Sequence, residues 1–243
     1  SGEDVEYGYS LNKINEDGTT TPISSENANQ AFYGASIQKP VIALVALIAG
    51  EELSDAFLNR LILYTAGAGN GFREDRKTGE PKKLTGSNGA NQILKEKYQA
   101  SSKMRKAAKE LAEGLGIKDA FKIIRGNNKQ SAQAYSAFLA ALENYENHPY
   151  LKNHSEAAEK IRSRIQLASP STTKGRGSYE GKNLKDIVNE ANKALQGDNK
   201  IAKVYGKGGY TPYKPKGTPL ARNVSLVVEL DNGEKFIFTM YVN

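Results

Sequence analysis

The chain has 243 residues, of which 38% are hydrophobic, so it is long enough to form one large domain or two small ones around a substantial core. It has no cysteine and two histidines, which excludes disulfides, thiol catalysis and cysteine-ligated metals and disfavours a histidine-based metal site. The formal net charge of +7 is not accompanied by a zinc finger, a helix-turn-helix or an aromatic-rich strand, so a solvated basic surface is favoured over nucleic-acid binding.

The first part of the chain is predicted to form strands. Residues 5–14 have strand character, residues 15–18 form a turn, and residues 19–23 can return as the second strand of a hairpin. The Phe32-Tyr33 pair is typical of the end of a further strand. No run of 18 or more apolar residues occurs, so we expect no membrane span.

The middle of the chain has helical periodicity, interrupted by two polar loops. The predicted helices are residues 36–51, 54–65, 91–114, 131–144, 155–167 and 184–195. The predicted loops are residues 67–89, which could also form an irregular hairpin, and residues 169–182. His148 and His154 lie in a polar stretch beside Pro149, and we expect both on the surface.

Strand character returns from residue 200 onward, in residues 201–205, 223–230 and 235–242. The last two strands are joined by a predicted hairpin turn at residues 231–233. The pattern predicts one α/β (α+β) domain, in which the terminal strands form an antiparallel sheet. The sheet lobe would comprise about residues 1–50 and 196–243, with a helical lobe of about residues 51–195 inserted between them.

A serine and a lysine three residues apart stand at the start of an apolar helix. Ser36 and Lys39 are one helical turn apart, so the lysine amine can lie beside the serine hydroxyl and take its proton. The alternative is a helix-capping serine followed by a surface lysine. Residues 40–48 are nearly free of polar side chains, so this helix must be buried, and its first turn lies at the edge of the core.

Two further elements carry polar groups that could join this pair. Lys207 is followed by Gly208 and Gly209 on the strand after the helical body, where glycines allow close approach of a ligand or another chain. Ser87 and Asn88 lie in a polar turn that runs into a helix, and they could cap that helix or project into a cleft.

Together these elements resemble the signature of the active-site serine penicilloyl transferases, that is, class A β-lactamases and penicillin-binding DD-peptidases. Their motifs S-x-x-K, S-D-N and K-T-G are matched by residues 36–39, by a degenerate Ser-Asn-Gly at residues 87–89, and by Lys-Gly-Gly at residues 207–209. The resemblance covers nearly the whole chain and implies a β-lactamase/transpeptidase-like fold that uses no metal or cofactor.

The resemblance implies catalytic roles for four residues. Ser36 would be the acylated nucleophile and Lys39 its general base or proton relay. Ser87 would pass a proton to the leaving amine, and Lys207 would bind the substrate carboxylate. Tyr64 is the alternative to Ser87, because some relatives use a tyrosine in this motif.

The resemblance also implies substrate-binding roles. Asn88 or Asn91 would hold the substrate amide, Gly208 and Gly209 would line the binding strand, and the backbone N–H groups of Ser36 and Tyr210 would form the oxyanion hole. Arg222 matches a position where class A enzymes often keep a carboxylate-binding arginine, and its alternative role is a surface charge on a strand.

The sequence departs from the class A pattern in three places. Residues 117–130 contain no glutamate to activate the water that releases the acyl group, and Asp119 is the only carboxylate there. The Ser-Asn-Gly triplet is out of register with S-D-N. The chain ends where class A enzymes add a terminal helix, so the sheet face must be covered in another way or stay exposed.

The expected activity is therefore acyl transfer on a D-Ala-D-Ala-like peptide or a β-lactam, with slow or absent β-lactam deacylation. The alternative is a catalytically decayed module that binds a cell-wall peptide or a protein partner. Because peptidoglycan lies outside the cytoplasmic membrane, the resemblance implies an extracytoplasmic protein whose signal peptide has been removed.

Overall fold

Nine strands and seven α-helices are present in the part of the chain that the computed structural model describes, which is residues 6–63, 71–74, 81–84, 86–117, 129–167, 184–194, 197–211 and 221–242. The strands are β1 (Tyr7–Ile14), β2 (Thr20–Glu26), β3 (Phe32–Tyr33), β4 (Gly71–Glu74), β5 (Pro81–Leu84), β6 (Lys129–Gln130), β7 (Ile201–Thr211), β8 (Ala221–Leu230) and β9 (Lys235–Val242). The helices are α1 (Lys39–Ile48), α2 (Asp55–Leu63), α3 (Gly86–Ala100), α4 (Ser102–Gly114), α5 (Ala132–Glu143), α6 (Ser155–Leu167) and α7 (Leu184–Ala194).

The two ends of the chain form one antiparallel sheet with the strand order β2-β1-β9-β8-β7. The strands β3 and β6 form a second, two-stranded sheet, and β4 and β5 form a hairpin. The predicted α/β fold, with a sheet built from the terminal strands and helices inserted between them, is confirmed. That both parts form one domain remains a prediction.

Helix α1 lies at the centre of the helical body, as its apolar sequence predicts. Residues 39–46 are all buried, and the helix packs against α2, α3, α4 and α6. Pro40 fits in the first turn because its missing N–H would have no helical partner there. A short 3₁₀ turn, Ala35–Gln38, leads into α1 and carries Ser36 to the edge of the core.

Helix α5 lies across the inner face of the sheet and joins it through buried hydroxyl groups. Ser136 of α5 is within 2.9 Å of the Ser10 hydroxyl and 2.8 Å of the Thr239 hydroxyl, and Thr239 is 2.7 Å from that of Ser225. At the end of α5, the buried Glu143 carboxylate accepts hydrogen bonds from Tyr205 at 2.7 Å and Lys235 at 3.1 Å. These contacts connect the helical body to β1, β7, β8 and β9.

The structure differs from the predicted bounds in several elements. The helix predicted over residues 91–114 is two helices, because Ser101 adopts an extended conformation and its hydroxyl accepts a hydrogen bond from the Met104 N–H at 3.2 Å. In the segment of residues 67–89 the hairpin alternative is confirmed by β4 and β5, and α3 begins at Gly86, before the predicted start at residue 91. Strand β7 continues to Thr211, so Lys207 lies inside a strand and not at its end.

The surface prediction is wrong for His148, which is only 7% exposed. Its Nδ1 atom accepts hydrogen bonds from the backbone N–H groups of Tyr150 at 3.2 Å and Leu151 at 3.3 Å. Burial lowers the pKa of His148, which keeps the ring neutral so that Nδ1 can act as an acceptor. His154 is half-buried, with its ring centroid 5.0 Å from that of Tyr150. Both histidines therefore serve the local structure.

Among the helices in the described ranges, none has both the length and the apolar character that crossing a bilayer requires.

Candidate functional site

The 3₁₀ turn before α1 presents Ser36 at the surface of the core. Ala35 and Ile37 are buried on either side of it, and Ser36 itself is half-buried. Ala35 has a positive φ of 48°, a backbone conformation that residues with a side chain seldom adopt. Such strain is characteristic of sites where surrounding structure holds a residue in place for a function.

Lys39 is 1% exposed, and its ammonium group contacts the second motif. Its Nζ atom donates hydrogen bonds to Ser87 Oγ at 2.7 Å and to Asn88 Oδ1 at 2.9 Å. Ser87 Oγ in turn donates to the backbone carbonyl of Leu61 at 2.8 Å. The packing of α1 against α3 therefore brings Ser87 and Asn88 to Lys39, which lies 48 and 49 positions earlier in the sequence.

Lys207 is 2% exposed and lies on the inner face of the sheet. The residues two positions before and after it, Tyr205 and Gly209, are also buried, as strand alternation requires for one face. Its Nζ atom donates a hydrogen bond to the carbonyl of Gly208 at 2.9 Å. Burial lowers the pKa of Lys207 to about 7, because removal from water destabilises the charged form.

Strand β7 lies directly against the turn that carries Ser36. A Cβ atom added to Gly209 would lie 2.6 Å from the carbonyl oxygen of Gly34, 3.0 Å from the nitrogen of Ile37 and 3.1 Å from the nitrogen of Ser36. Such a contact with backbone atoms is too short for a side chain, so only glycine fits at this position. This contact brings the strand of Lys207 to the Ser36 turn.

Asn223 is a positioning residue that the sequence reasoning missed. It is buried on β8, its Nδ2 atom donates to the carbonyl of Tyr33 at 2.7 Å, and its Oδ1 atom accepts from the N–H of Val242 at 3.2 Å. These bonds tie the sheet to the chain just before the Ser36 turn. The available signal was a polar amide at the first position of the predicted strand of residues 223–230.

The other residues predicted to bind substrate differ in their burial and in how much of each the structure describes. Asn91 lies one helical turn after Asn88, and its Oδ1 atom is buried without a hydrogen-bond partner. Gly208 is half-buried, and only the backbone of Tyr210 is described. Tyr64 and Asp119 lie outside the described residues, so the choice between Tyr64 and Ser87 rests on the contacts that Ser87 makes.

Arg222 does not lie beside Lys207. Strand alternation on β8 places the buried Asn223 and Ser225 on the inner face with Lys207, whereas Arg222 is exposed and lies on the opposite face. The structure therefore favours the alternative role of Arg222 as a surface charge on a strand.

The arrangement is suited to proton transfer and anion binding. The buried amine of Lys39 contacts the Ser87 hydroxyl and the Asn88 amide, and Lys39 follows Ser36 by one helical turn. A second buried amine, that of Lys207, lies on the adjoining strand β7. No group of three or more histidine, aspartate or glutamate side chains that could hold a metal ion occurs among the described residues.

Solved structures similar to this chain are β-lactamases and a penicillin-binding protein. A β-lactamase from Sphaerobacter thermophilus DSM 20745 is 15% identical with a TM-score of 0.50, over 98% of this chain and 83% of that one. The TLA-3 extended-spectrum β-lactamase is 15% identical with a TM-score of 0.49, over 98% and 84% of the two chains. PBP-A is 14% identical with a TM-score of 0.48, over 100% and 82%.

No protein-family model matches the chain, and no curated protein sequence matches it significantly. At 15% identity, the likeness to the Sphaerobacter thermophilus enzyme is evidence for the fold alone. The strand order and the inserted helices of this chain, together with this likeness, show that it has a β-lactamase/transpeptidase-like fold.

Proposed function

We propose that this protein is a serine acyltransferase or hydrolase that forms an acyl-enzyme on Ser36. The observation that carries the proposal is the environment of Lys39, which is buried one turn after Ser36 and is bonded to both Ser87 and Asn88. A surface lysine after a capping serine would have neither this burial nor these partners. The arrangement supplies a nucleophile, a base and a relay to a leaving group.

The proposed acylation step uses these contacts. Lys39, in its neutral form, takes the proton of Ser36 as Oγ forms a bond to the substrate carbonyl carbon. When the C–N bond breaks, Ser87 gives its proton to the departing nitrogen and receives one from Lys39 across their 2.7 Å contact. The products are an ester on Ser36 and a free amine, and Lys39 is neutral again.

The negative charge that develops on the carbonyl oxygen needs hydrogen-bond donors. The backbone N–H groups of Ser36 and Tyr210 are our candidates for this role. Support comes from the close approach of Gly209 to the Ser36 turn, because Tyr210 is the next residue along β7.

The proposed substrate is a D-Ala-D-Ala-like peptide or a β-lactam, both of which carry a carboxylate. Lys207 would bind that carboxylate as an ammonium ion. With a pKa of about 7, Lys207 is only partly protonated at neutral pH in the absence of substrate, and a bound anion would favour its charged form. Such a substrate implies an extracytoplasmic location.

Deacylation is proposed to be slow. The segment of residues 117–130 contains no glutamate, and Asp119 is its only carboxylate. Without a general base to activate water, the ester on Ser36 should persist, as in a penicillin-binding protein.

A fluorescent penicillin tests this proposal. We expect intact mass spectrometry to show one covalent adduct that survives for minutes or longer and is absent in Ser36→Ala. The matched control is Ser171→Ala, because Ser171 also precedes a lysine, Lys174, by three residues. That variant should label like the parent protein.

The possible results separate the alternatives. Rapid turnover would contradict slow deacylation, and labelling that persists in Ser36→Ala would contradict the assigned nucleophile. Binding of a D-Ala-D-Ala peptide without any adduct would overturn acyl transfer in favour of a binding module, a role that Gly208 in place of the K-T-G threonine would permit.

A further inference from the structure

One row of residues, which crosses the five-stranded sheet from strand to strand, begins at Lys207. Pairing between neighbouring strands defines its members, which in order are Lys207, Ser225, Thr239, Ser10 and Ser25. Every residue of this row other than the lysine therefore carries a hydroxyl group. The neighbouring row has no such series, since it consists of Tyr205, Val227, Ile237 and Asn12.

The buried hydroxyl groups of this row form a continuous chain with one hydroxyl group from α5. The Ser225 and Thr239 oxygens are 2.7 Å apart, and the Ser136 oxygen lies 2.8 Å from that of Thr239 and 2.9 Å from that of Ser10. All four residues are fully buried. The hydroxyl chain, as we call these four groups, starts directly opposite Lys207 and leads away from it under α5.

The hydroxyl chain can be oriented in either direction, because a hydroxyl group both donates and accepts and either oxygen of each contact can be the donor. When Ser225 donates to Thr239, the lone pairs of the Ser225 oxygen are left for the side of Lys207. A positive charge on Lys207 favours this direction, and hydrogen bonds aligned in one direction polarise one another. The hydroxyl chain thus presents its negative end to an ammonium group.

The distance between Lys207 and Ser225 allows this interaction. Directly opposed side chains on one face of an antiparallel pair have Cβ atoms about 4.5–5.5 Å apart. Lys207 is 2% exposed and Ser225 is 0% exposed, so little water screens the charge of one from the dipole of the other. A charge–dipole interaction across this distance does not require a direct hydrogen bond.

Packing alone does not account for hydroxyl groups at these positions. Replacing both partners of a buried hydrogen bond by apolar groups of the same shape is often nearly neutral for stability. Apolar side chains also fit on the inner face of the same two strands, because Val227 and Ile237 in the neighbouring row are fully buried. A role beyond packing is therefore favoured for the hydroxyl that faces Lys207.

The charged groups that approach β7 from other elements are Lys39 at the end of the 3₁₀ turn, Glu143 of α5 and Arg162 of α6. Glu143 accepts a hydrogen bond from Lys235 and lies 3.8 Å from Arg162, so its charge is compensated. Helix α7 contacts β7 at its first residue, Ile201. The inner positions of β8 are uncharged, and the Ser225 hydroxyl is the polar group that faces Lys207 from that strand.

We propose that Ser225 is a positioning residue for Lys207, whose ammonium group it keeps charged and in place for the substrate carboxylate by holding its hydroxyl oxygen toward it. Thr239 and Ser136 act through Ser225, because they fix the direction of its hydrogen bond. This inference rests on the anion-binding role proposed for Lys207.

The first test measures the pKa of Lys207 directly, in protein labelled with ¹³C at the lysine Cε atoms. The Cε signal of Lys207 is the one that is missing in Lys207→Met. Val and Thr have nearly the same shape, so Ser225→Val and Ser225→Thr differ chiefly in a methyl against a hydroxyl group. We expect Ser225→Val to lower the pKa of Lys207 by about 0.5 and Ser225→Thr to leave it close to that of the parent protein.

Two further variants complete this test. Thr239→Val, which acts one step further along the hydroxyl chain, should lower the pKa of Lys207 by less than Ser225→Val does. Ser25→Ala is the control at the exposed end of the row and should leave the pKa unchanged. If the larger residue at position 225 prevents folding, Ser225→Ala takes the place of Ser225→Val. Equal pKa values of Lys207 with and without the hydroxyl at position 225 would overturn the proposal.

The second test separates binding from chemistry in the reaction with a fluorescent penicillin. At pH 8, Ser225→Val should raise the dissociation constant of the non-covalent complex about threefold, because a pKa lowered by about 0.5 leaves less Lys207 charged. This difference should nearly vanish at pH 6, where Lys207 is charged in both proteins. The limiting acylation rate constant should stay within about twofold, and Ser225→Thr should behave like the parent protein.

The two tests distinguish failure of this inference from failure of the proposed function. If the parent protein forms no adduct, acyl transfer is refuted, and the pKa of Lys207 in the Ser225 variants still decides the role of the hydroxyl. If the parent protein is acylated but the dissociation constants of Ser225→Val and Ser225→Thr agree at pH 8, acyl transfer stands and Ser225 does not position Lys207.

Discussion

At the scale of single residues, Lys207 has the most unusual environment in the site. An ammonium group is ordinarily charged at neutral pH, but burial brings the pKa of Lys207 down to about 7. The folded protein therefore carries this buried group at a cost in free energy whenever it is protonated. Strongly shifted pKa values of buried groups cluster at functional sites, which is consistent with the anion-binding role proposed for Lys207.

This environment predicts a pH dependence of stability. Between pH 7 and about 10 the unfolded chain keeps the Lys207 proton while the folded protein has lost it, so the free energy of unfolding should rise with pH. Relative to Lys207→Met, the parent protein should gain about 2 kcal/mol between pH 7 and pH 9 in urea unfolding. Below pH 7, where both states are protonated, the difference between the two proteins should be constant.

Lys203 provides the control for this prediction, since it is an exposed lysine on the same strand. The variant Lys203→Met should follow the parent protein at every pH. Equal pH profiles for the parent protein and Lys207→Met would contradict the lowered pKa.

At the scale of secondary-structure elements, the contact between β7 and the Ser36 turn makes a prediction for two adjacent glycines. Gly209→Ala places a methyl group 2.6 Å from the Gly34 oxygen and must push the strand away from the turn, whereas the same methyl at Gly208 meets only the Asn223 oxygen at 3.8 Å. We expect Gly209→Ala to lower the penicillin acylation rate at least tenfold and stability by about 1–3 kcal/mol. Gly208→Ala should change both by much less.

The measurements are the second-order acylation rate constant and the midpoint of urea unfolding. Similar effects of the two substitutions would show that the Gly209 contact does not position the site.

A hydrogen bond from Tyr205 joins β7 to α5, and its contribution to stability can be compared with that of a similar hydrogen bond from Tyr7. Tyr205 and Tyr7 both donate to a glutamate at 2.7 Å, but the Tyr205–Glu143 pair is buried and the Tyr7–Glu26 pair is exposed. Burial and the neighbouring Glu143 raise the pKa of Tyr205, so it remains a donor throughout the accessible pH range. Tyr205→Phe should cost about 2 kcal/mol of unfolding free energy, because it removes a hydrogen bond to a buried charged group.

Tyr7→Phe is the matched substitution and should cost less than about 1 kcal/mol, since water replaces the lost partner. Chemical denaturation of both variants measures the difference. Equal losses would mean that burial does not strengthen the Tyr205 contact.

The sequence correctly predicted those elements that have strong local signals. The bounds of α6 and β9 agree with the predicted residues 155–167 and 235–242, because their apolar periodicity and flanking turns are clear. The division between α3 and α4 was missed, since the capping role of Ser101 competes with a helical pattern that continues on both sides.

The site was predicted in part. Motif spacing brought Ser36, Lys39 and Lys207 together as candidates. The position of Arg222 on the other face, the burial of His148 and the contacts of Asn223 depend on which strands and helices pack together. Such tertiary information does not appear in the local sequence pattern.

At the scale of the whole molecule, the connections between sheet and helices predict cooperative unfolding. The hydroxyl groups of Ser10, Ser136 and Thr239 and the Glu143 contacts join the sheet to α5, and α1 joins the helices to the Ser36 turn. We expect a single calorimetric transition with equal calorimetric and van't Hoff enthalpies.

Ser136→Ala should lower the temperature of this transition without dividing it. Two transitions in the parent protein, or a second transition in the variant, would show that sheet and helical body are separate folding units.

The glycines of β7 have a consequence for how this protein can change over evolutionary time. A Cβ on Gly206 would lie 2.0 Å from the Ser225 oxygen, and one on Gly209 would meet the Ser36 turn, so on both sides the strand is held at main-chain distance. The separation of β7 from the Ser36 turn on one side and from β8 on the other is thus set by the thickness of a polypeptide backbone. Core side chains can be exchanged over generations without altering that separation, whereas hardly any substitution at these two glycines would leave it unchanged.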